Sequence, residues 1–148
     1  MVHFKSITEE NFWPIVRMER PADEHYVASN ALSLAQAWLY RDKGDVFPFA
    51  IYDGDEPVGF MMLDEDVEER SLLIWRVMFP PEHQCKGYGT QALGQVIELA
   101  RASGKYDSLH IDYAQGNAIA EHVYTKLGFR PTGEIVDGEV VMKLRFAQ

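Results

Sequence analysis

Two glycines, Gly87 and Gly89, stand at the start of a segment whose apolar spacing is that of a helix. The preceding segment, SLLIWRVMFPPE, has the β-branched and aromatic content of a strand, and two prolines end it. The segment after the helix, SLHIDY, is again strand-like. This strand–helix–strand order predicts a parallel crossover between Ser71 and Tyr113, right-handed by rule.

Glycine weakens helices, so its use at a helix start needs a physical reason. The first amides of a helix have no internal partner, and together with the helix dipole they attract anions. Glycine lets the backbone approach a bulky phosphate, and Lys86 adds a local positive charge. The stretch QCKGYGT is therefore interpreted as a phosphate-binding loop.

Other interpretations of the same glycines are open at this point. A P-loop needs Gly-Lys-Ser/Thr at an offset that this chain lacks. Gly87, Gly89 and Ala92 satisfy the dinucleotide pattern G-x-G-x-x-A, but that motif follows the first strand of a doubly wound domain. Here several strands come first, so the context disagrees. A plain turn between strand and helix, without any ligand, is the structural alternative.

The rest of the chain predicts a mixed α/β fold in the order β-α-α-β-β-β-α-β-α-β-β. Pro14 should end or bend the first helix early. Asp53-Gly54-Asp55 and Asp137-Gly138 are hairpin turn signals, and three adjacent strands indicate an antiparallel half. The predicted elements are strand 3–7, a helix from residue 8, helix 28–44, hairpin 46–66, strand 71–79, a helix from the glycine loop to about 102, strand 108–113, helix 117–127, and strands 129–136 and 139–146.

Size and charge limit the function. The 148 residues fit a single domain, 1–148. A formal net charge of -9 argues against nucleic acid as the main partner and favours a cationic one. Neither a membrane-spanning run nor a signal-peptide layout is present, and Cys85 is the single cysteine. We therefore expect a cytoplasmic protein without membrane contact, and the histidines have no metal-ligand spacing.

Two longer motifs resemble those of the GNAT N-acetyltransferases. QCKGYGTQAL is similar to the family's Q/R-x-x-G-x-G/A loop, with Gln84, Gly87 and Gly89 at its three positions. Residues 117–134, NAIAEHVYTKLGFRPTGE, resemble the second signature, N-x-x-A-x-x-x-Y-x-K-x-G-F. Its matching residues are Asn117, Ala120, Tyr124, Lys126, Gly128 and Phe129. Within the family, ASNALSLAQAWLY, PFAIYDGDEPVGFMM and WRVMFPPEHQCKGYG look most like bacterial spermine/spermidine (diamine) acetyltransferases.

The resemblance implies a mostly antiparallel GNAT-like sheet and an acyltransferase that uses acetyl-CoA as co-substrate. A family bulge would aim the Met78 amide at the thioester oxygen, a donor worth about 3 kcal/mol. Tyr124 would be the general acid for the leaving thiolate, although a core position is its plain alternative. Asn117 is also a good helix N-cap. The implied coenzyme-binding residues are Val77, Met78, Phe79, Gln84, Cys85, Lys86, Gly87, Tyr88, Gly89, Thr90, Asn117, Tyr124 and Lys126.

The general base is open at the level of sequence. Some family members use a glutamate on the strand before the loop, but this chain has Trp75, Arg76 and Val77 there. Glu24, acting through water, is the predicted base; Asp23 and Asp112 are the alternatives. The amine would attack the thioester directly in a ternary complex, so an acyl intermediate on Cys85 is disfavoured.

A polyamine is a flexible string of cations, which spaced carboxylates and aromatic walls would bind. The predicted substrate-binding residues are Asp23, Glu24, Tyr26, Asp64, Glu65 and Trp75. The acid run that contains Asp64 and Glu65 is equally typical of a solvated hairpin turn. Other functions stay open: acetylation of another amine, such as an aminoglycoside, an amino acid or a protein N-terminus, and a non-catalytic acetyl-CoA-binding module. Because family members often dimerise, the resemblance also makes a homodimer a candidate assembly.

Overall fold

Seven strands and four helices make up the part of the chain that the computed structural model describes, residues 1–20 and 28–147. Their order confirms the predicted one. The elements are β1 (Val2–Ser6), α1 (Glu9–Val16), α2 (Asn30–Leu39), β2 (Val46–Asp53), β3 (Glu56–Asp66), β4 (Ser71–Met78), α3 (Tyr88–Ser103), β5 (Ser108–Ala114), α4 (Ala118–Leu127), β6 (Arg130–Val136) and β7 (Glu139–Arg145). Short 3-10 turns follow α2, at Arg41–Lys43, and β4, at Pro81–His83.

The strands form one mixed sheet in the order β1-β2-β3-β4-β5-β7-β6. Its neighbouring strands pair antiparallel except for β4 and β5, which pair parallel near the middle of the sheet. The chain between these two strands contains the loop with Gly87 and the helix α3, as the crossover prediction required. The fold is therefore the mixed, mostly antiparallel α/β class expected from the sequence.

Each face of the sheet carries its own apolar core. The first core joins α3 and α4 to the sheet, and Leu93, Tyr124 and Phe129 are among its buried members. The second core lies under α1 and α2 and contains Ile15 and Met78. The helices α3 and α4 thus lie on one side of the sheet, and α1 and α2 lie on the other.

The helix boundaries differ from prediction near Pro14 and after Leu39. The first helix continues two residues past Pro14, to Val16. The second begins after Ser29, whose side chain accepts a hydrogen bond of 3.1 Å from the Leu32 amide, and its last regular residue is Leu39. The predicted helix 28–44 is therefore a ten-residue helix followed by a 3-10 turn that ends at the left-handed Gly44, φ 69°.

A β-bulge interrupts β4 at Trp75. Met62 of β3 pairs with Arg76, but the next residue along β3 pairs with Ile74, so Trp75 has no partner in that register. Side chains alternate between the two faces of a regular strand, and one extra residue reverses the alternation. Ile74 accordingly belongs to the first core, whereas Met78 belongs to the second.

Candidate active site

The loop between β4 and α3 takes backbone conformations that explain its composition. Gly87 has φ 80° and is the N-cap of α3. Cys85 also has a positive φ, 61°, which is uncommon for a residue with a side chain. The Gln84 side-chain amide donates to the Phe79 carbonyl at 2.9 Å and closes the loop on the end of β4. We call residues 84–90 the coenzyme loop.

The first amides of α3 are open to a ligand. The helix's first hydrogen bond runs from the Gln91 amide to the Gly87 carbonyl, so residues 88–90 have no acceptor within the helix. Among the described residues, no side chain caps this end. A Cβ built on Gly87 would meet only Gln91 Nε2, at 3.9 Å, within the described chain. The space and the donors both fit a diphosphate.

Beside the coenzyme loop, β4 and β5 separate. Their pairing covers Ser71 to Ile74 and Ser108 to Ile111. Both strands continue, to Met78 and to Ala114, and no further pair joins them in the described part of the chain. The β5-facing backbone edge of residues 75–78 is therefore free of that neighbour. We call this opening the fork.

Tyr124 of α4 lies in the first core and is 9% exposed. Its ring packs against Tyr113 of β5, with ring centroids 6.2 Å apart, and against Phe129 at the same distance. Burial raises the pKa of the Tyr124 hydroxyl to about 12; the charges of Glu139 and Asp112 also raise it, and Arg20 opposes them. The phenol therefore keeps its proton at neutral pH, as a proton donor must.

Two carboxylates belong to the strands next to the fork. Asp112 follows the last β5 residue paired to β4, and it is partly buried. Burial and, less strongly, the charge of Glu139 raise its pKa. Glu139, at the start of β7, also partly offsets the lowering of the Arg76 pKa by burial. The charge of Glu139 thus acts on Arg76, Asp112 and Tyr124.

The sequence profile of the acetyltransferase (GNAT) family matches residues 9–129. The chain belongs to the GNAT acetyltransferase family. It is therefore an acetyl-CoA-dependent N-acetyltransferase, and the family predicted from the two signatures is confirmed. The free amides of residues 88–90 give this family's coenzyme a site with suitable donors.

Curated and solved relatives agree with this GNAT assignment. The spermine/spermidine N(1)-acetyltransferase of Bacillus subtilis (strain 168) is 24% identical over 95% of this chain and 96% of its own. A spermidine N-acetyltransferase from Vibrio cholerae, solved with CoA and spermine, superposes with a TM-score of 0.74 at 17% identity, over 96% of this chain and 92% of that one. A Bacillus subtilis acetyltransferase solved with CoA gives a TM-score of 0.70 at 16% identity, over 99% and 98% of the two chains.

The structure of this GNAT chain brings many of the predicted coenzyme residues to one end of β4. Val77, Met78 and Phe79 lead into the loop, and Gln84 to Thr90 form it. Asn117 caps α4, accepting a hydrogen bond of 3.2 Å from the Ala120 amide, so the N-cap interpretation is confirmed. Lys126 is exposed, on the outer side of α4. It lines an open groove of about 400 Å³ together with Glu121 and His122.

Of the predicted substrate residues within the described chain, Glu65 lies away from the coenzyme loop. Glu65 pairs in the β3–β4 ladder with Leu72, which lies about 20 Å along β4 from Met78. The Tyr106 hydroxyl donates a hydrogen bond to Glu65, and burial and this bond raise the Tyr106 pKa to about 12. Asp64 precedes Glu65 in β3, and burial raises the pKa of the Asp64 carboxyl. Asp64 pairs with Leu73, two residues before Trp75, and Trp75 is at the fork. Asp23, Glu24 and Tyr26 lie outside the described residues.

Some residues near the GNAT site had no sequence signal. Glu139 is an ordinary charged residue beside a hairpin turn, and only the pairing of β7 with β5 places it near Asp112. Asp53, at the end of β2, accepts a hydrogen bond of 2.8 Å from the Tyr88 hydroxyl of α3. In the sequence, Asp53 was identified only as part of a hairpin turn.

The described residues contain neither a membrane-spanning helix nor a group of side chains arranged for a metal ion. None of the helices in the described chain combines the length and apolar character needed to cross a bilayer. Within residues 1–20 and 28–147, no group of three or more His, Cys, Asp or Glu side chains is arranged to hold a metal ion.

Proposed function

We propose that this GNAT enzyme acetylates a primary amine of a polyamine, spermine or spermidine. The observation that carries the proposal is the partly buried pair of carboxylates, Asp112 and Glu139, on strands that adjoin the fork. An amine that is protonated at neutral pH is attracted to such a pair. The net charge of -9 and the polyamine activity in the Bacillus subtilis relative's name support the same substrate class.

In this proposal the coenzyme loop binds the diphosphate of acetyl-CoA. The free edge of Val77 to Phe79 lies beside the pantetheine arm, and the Met78 amide donates to the thioester oxygen. Buried amide donors of this kind stabilise a developing oxyanion, by about 3 kcal/mol each. The nitrogen–carbon bond forms as the carbon–sulfur bond breaks, and Tyr124 gives its proton to the departing sulfur.

The proposed base must accept the proton that the attacking amine loses. Glu24 is the residue predicted from sequence, and it lies outside the described residues. Asp112 is the alternative that the described residues support, since it adjoins the fork. Its raised pKa makes it a stronger proton acceptor than an ordinary aspartate when ionised. The two variants Glu24→Gln and Asp112→Asn separate these candidates, because only the base's variant should lose the fall of kcat on the acid side of the pH profile, where the base becomes protonated.

A thiol-release assay across spermine, spermidine, putrescine, lysine and an aminoglycoside tests the substrate class. We expect acetyl transfer to the polyamines and little to lysine or the aminoglycoside. Preference for either of these amines would contradict the proposal and favour another GNAT activity. No transfer to any of the five amines, with CoA still bound, would also contradict the polyamine proposal.

A further inference from the structure

The β2–β3 hairpin makes one polar contact with the coenzyme loop and another with the residue just before it. The Tyr88 hydroxyl donates to Asp53 Oδ2 at 2.8 Å. His83 Nε2 lies 3.5 Å from Glu56 Oε1. Asp53 is the last residue of β2 and Glu56 is the first of β3, so both carboxylates flank the same two-residue turn. His83, just before the loop, and Tyr88, within it, are thus both joined to one hairpin.

Aromatic packing completes the connection. The Tyr88 ring lies 6.1 Å from that of Phe79, at the end of β4, and 6.3 Å from that of His83. Phe79 packs directly on β3, because a Cβ built on Gly59 would lie 2.5 Å from Phe79 Cδ1. The residues before the loop and the first residue of α3 therefore rest on the same part of the sheet.

The loop between these anchors is exposed at Cys85, Lys86 and Gly87. Cys85 and Gly87 have left-handed backbone conformations. If the free protein already holds these conformations, CoA binding does not include the entropic cost of ordering them. Tyr88 is the first helical residue, and its amide is one of the three free donors. The hydrogen bond between the Tyr88 side chain and Asp53 therefore also orients the free amides at the start of α3.

We propose that Asp53 is a positioning residue for acetyl-CoA, which acts through the Tyr88 hydroxyl to hold the coenzyme loop and the first turn of α3 in their binding conformation. The inference depends on the coenzyme loop being the diphosphate site. Glu56 makes a second, weaker contribution through His83. The hydrogen bond to Asp53 also raises the pKa of Tyr88, so the phenol remains a donor at neutral pH.

A set of variants tests this role by calorimetric titration with CoA and by steady-state kinetics. We expect Asp53→Ala and Tyr88→Phe each to weaken CoA binding about three- to tenfold, and the double variant to be no weaker than either single one. Asp53→Asn should largely restore binding, since its amide oxygen still accepts from Tyr88. The KM for the amine should not change in any of them.

Asp55→Ala is the matched control, because it removes a carboxylate from the same turn at an exposed position. It should leave CoA affinity unchanged, and thermal melting should show that all variants are folded. Independent, additive losses in the double variant, or unchanged or tighter CoA binding in both single variants, would overturn the proposal. If wild-type protein itself does not bind CoA, the failure belongs to the assignment of the loop and not to Asp53.

Discussion

Tyr124 is a buried phenol whose pKa is raised to about 12. The hydroxyl is therefore protonated throughout the neutral range. We expect Tyr124→Phe to lower kcat about tenfold or more while CoA binding and folding are kept, because only the donated proton is lost. Steady-state kinetics and CoA titration measure the two effects separately.

Tyr113→Phe is the control for this substitution. Tyr113 is also a buried tyrosine, at 8% exposure, and its ring packs on that of Tyr124. Its variant should keep kcat within about twofold. Equal losses in the two variants would mean that packing, and not proton donation, explains the effect. A Tyr124→Phe enzyme with wild-type kcat would remove the general acid.

The ionisation of Asp112 should affect the stability of the protein as well as the proposed catalysis. Its folded-state pKa is raised, first by burial and then by Glu139, so ionisation costs more in the folded than in the unfolded protein. The contribution of the Asp112 carboxyl to the free energy of unfolding is fully present at acid pH. It is lost as the pH rises through the folded-state pKa. Asp112→Asn should therefore be more stable than wild type at pH 8, with a difference that shrinks toward acid.

Urea unfolding across this pH range measures the difference. Asp55→Asn, at an exposed position of the β2–β3 turn, is the comparison. A difference between Asp112→Asn and wild type that grew toward acid would show that the carboxylate is stabilised in the folded state, contrary to its partly buried position beside Glu139.

At the scale of elements, the end of β4 depends on the absence of a side chain on β3. A Cβ on Gly59 would lie 2.7 Å from the Met78 carbonyl oxygen as well as against Phe79. A backbone carbonyl cannot turn aside as a side chain can, so β4 itself must move. We expect Gly59→Ala to destabilise the protein by about 1–3 kcal/mol and to raise the KM for acetyl-CoA.

For Gly94→Ala in α3 we expect the opposite effect on stability. A Cβ there would meet no atom of the described chain within 4 Å. Because glycine weakens a helix interior, this variant should stabilise the protein by about 0.5–1 kcal/mol and leave the KM unchanged. Urea unfolding and coenzyme kinetics of the two alanine variants together test the packing of β4. Equal behaviour of both would contradict it.

For the whole molecule, the net charge of -9 creates a field that a cationic substrate meets before contact. The KM for polyamines should therefore rise with ionic strength, since salt screens charges more than about 10 Å apart at 0.1 M. The slope should increase from putrescine to spermidine to spermine, which carry successively more charges. Equal slopes for the three amines would show that only local contacts matter.

Local rules were enough for much of this chain. Glycines at a left-handed N-cap, Asp-Gly turns and the periodicity of apolar residues act between neighbours in sequence. They predicted the element order and the start of α3 after its glycine. The two signatures predicted the family, which the profile match confirms. The site residues proposed for catalysis stay predictions.

Tertiary structure decided which side chains meet. Glu65 looked like part of an acid run, yet strand register brings it to Tyr106 and away from the loop. The bulge at Trp75 reverses the faces of β4, and the pairing of β7 with β5 brings Glu139 near Asp112. The bond from Tyr88 to Asp53 joins residues far apart in sequence. Register and packing are properties of pairs of elements, so no single segment contains them.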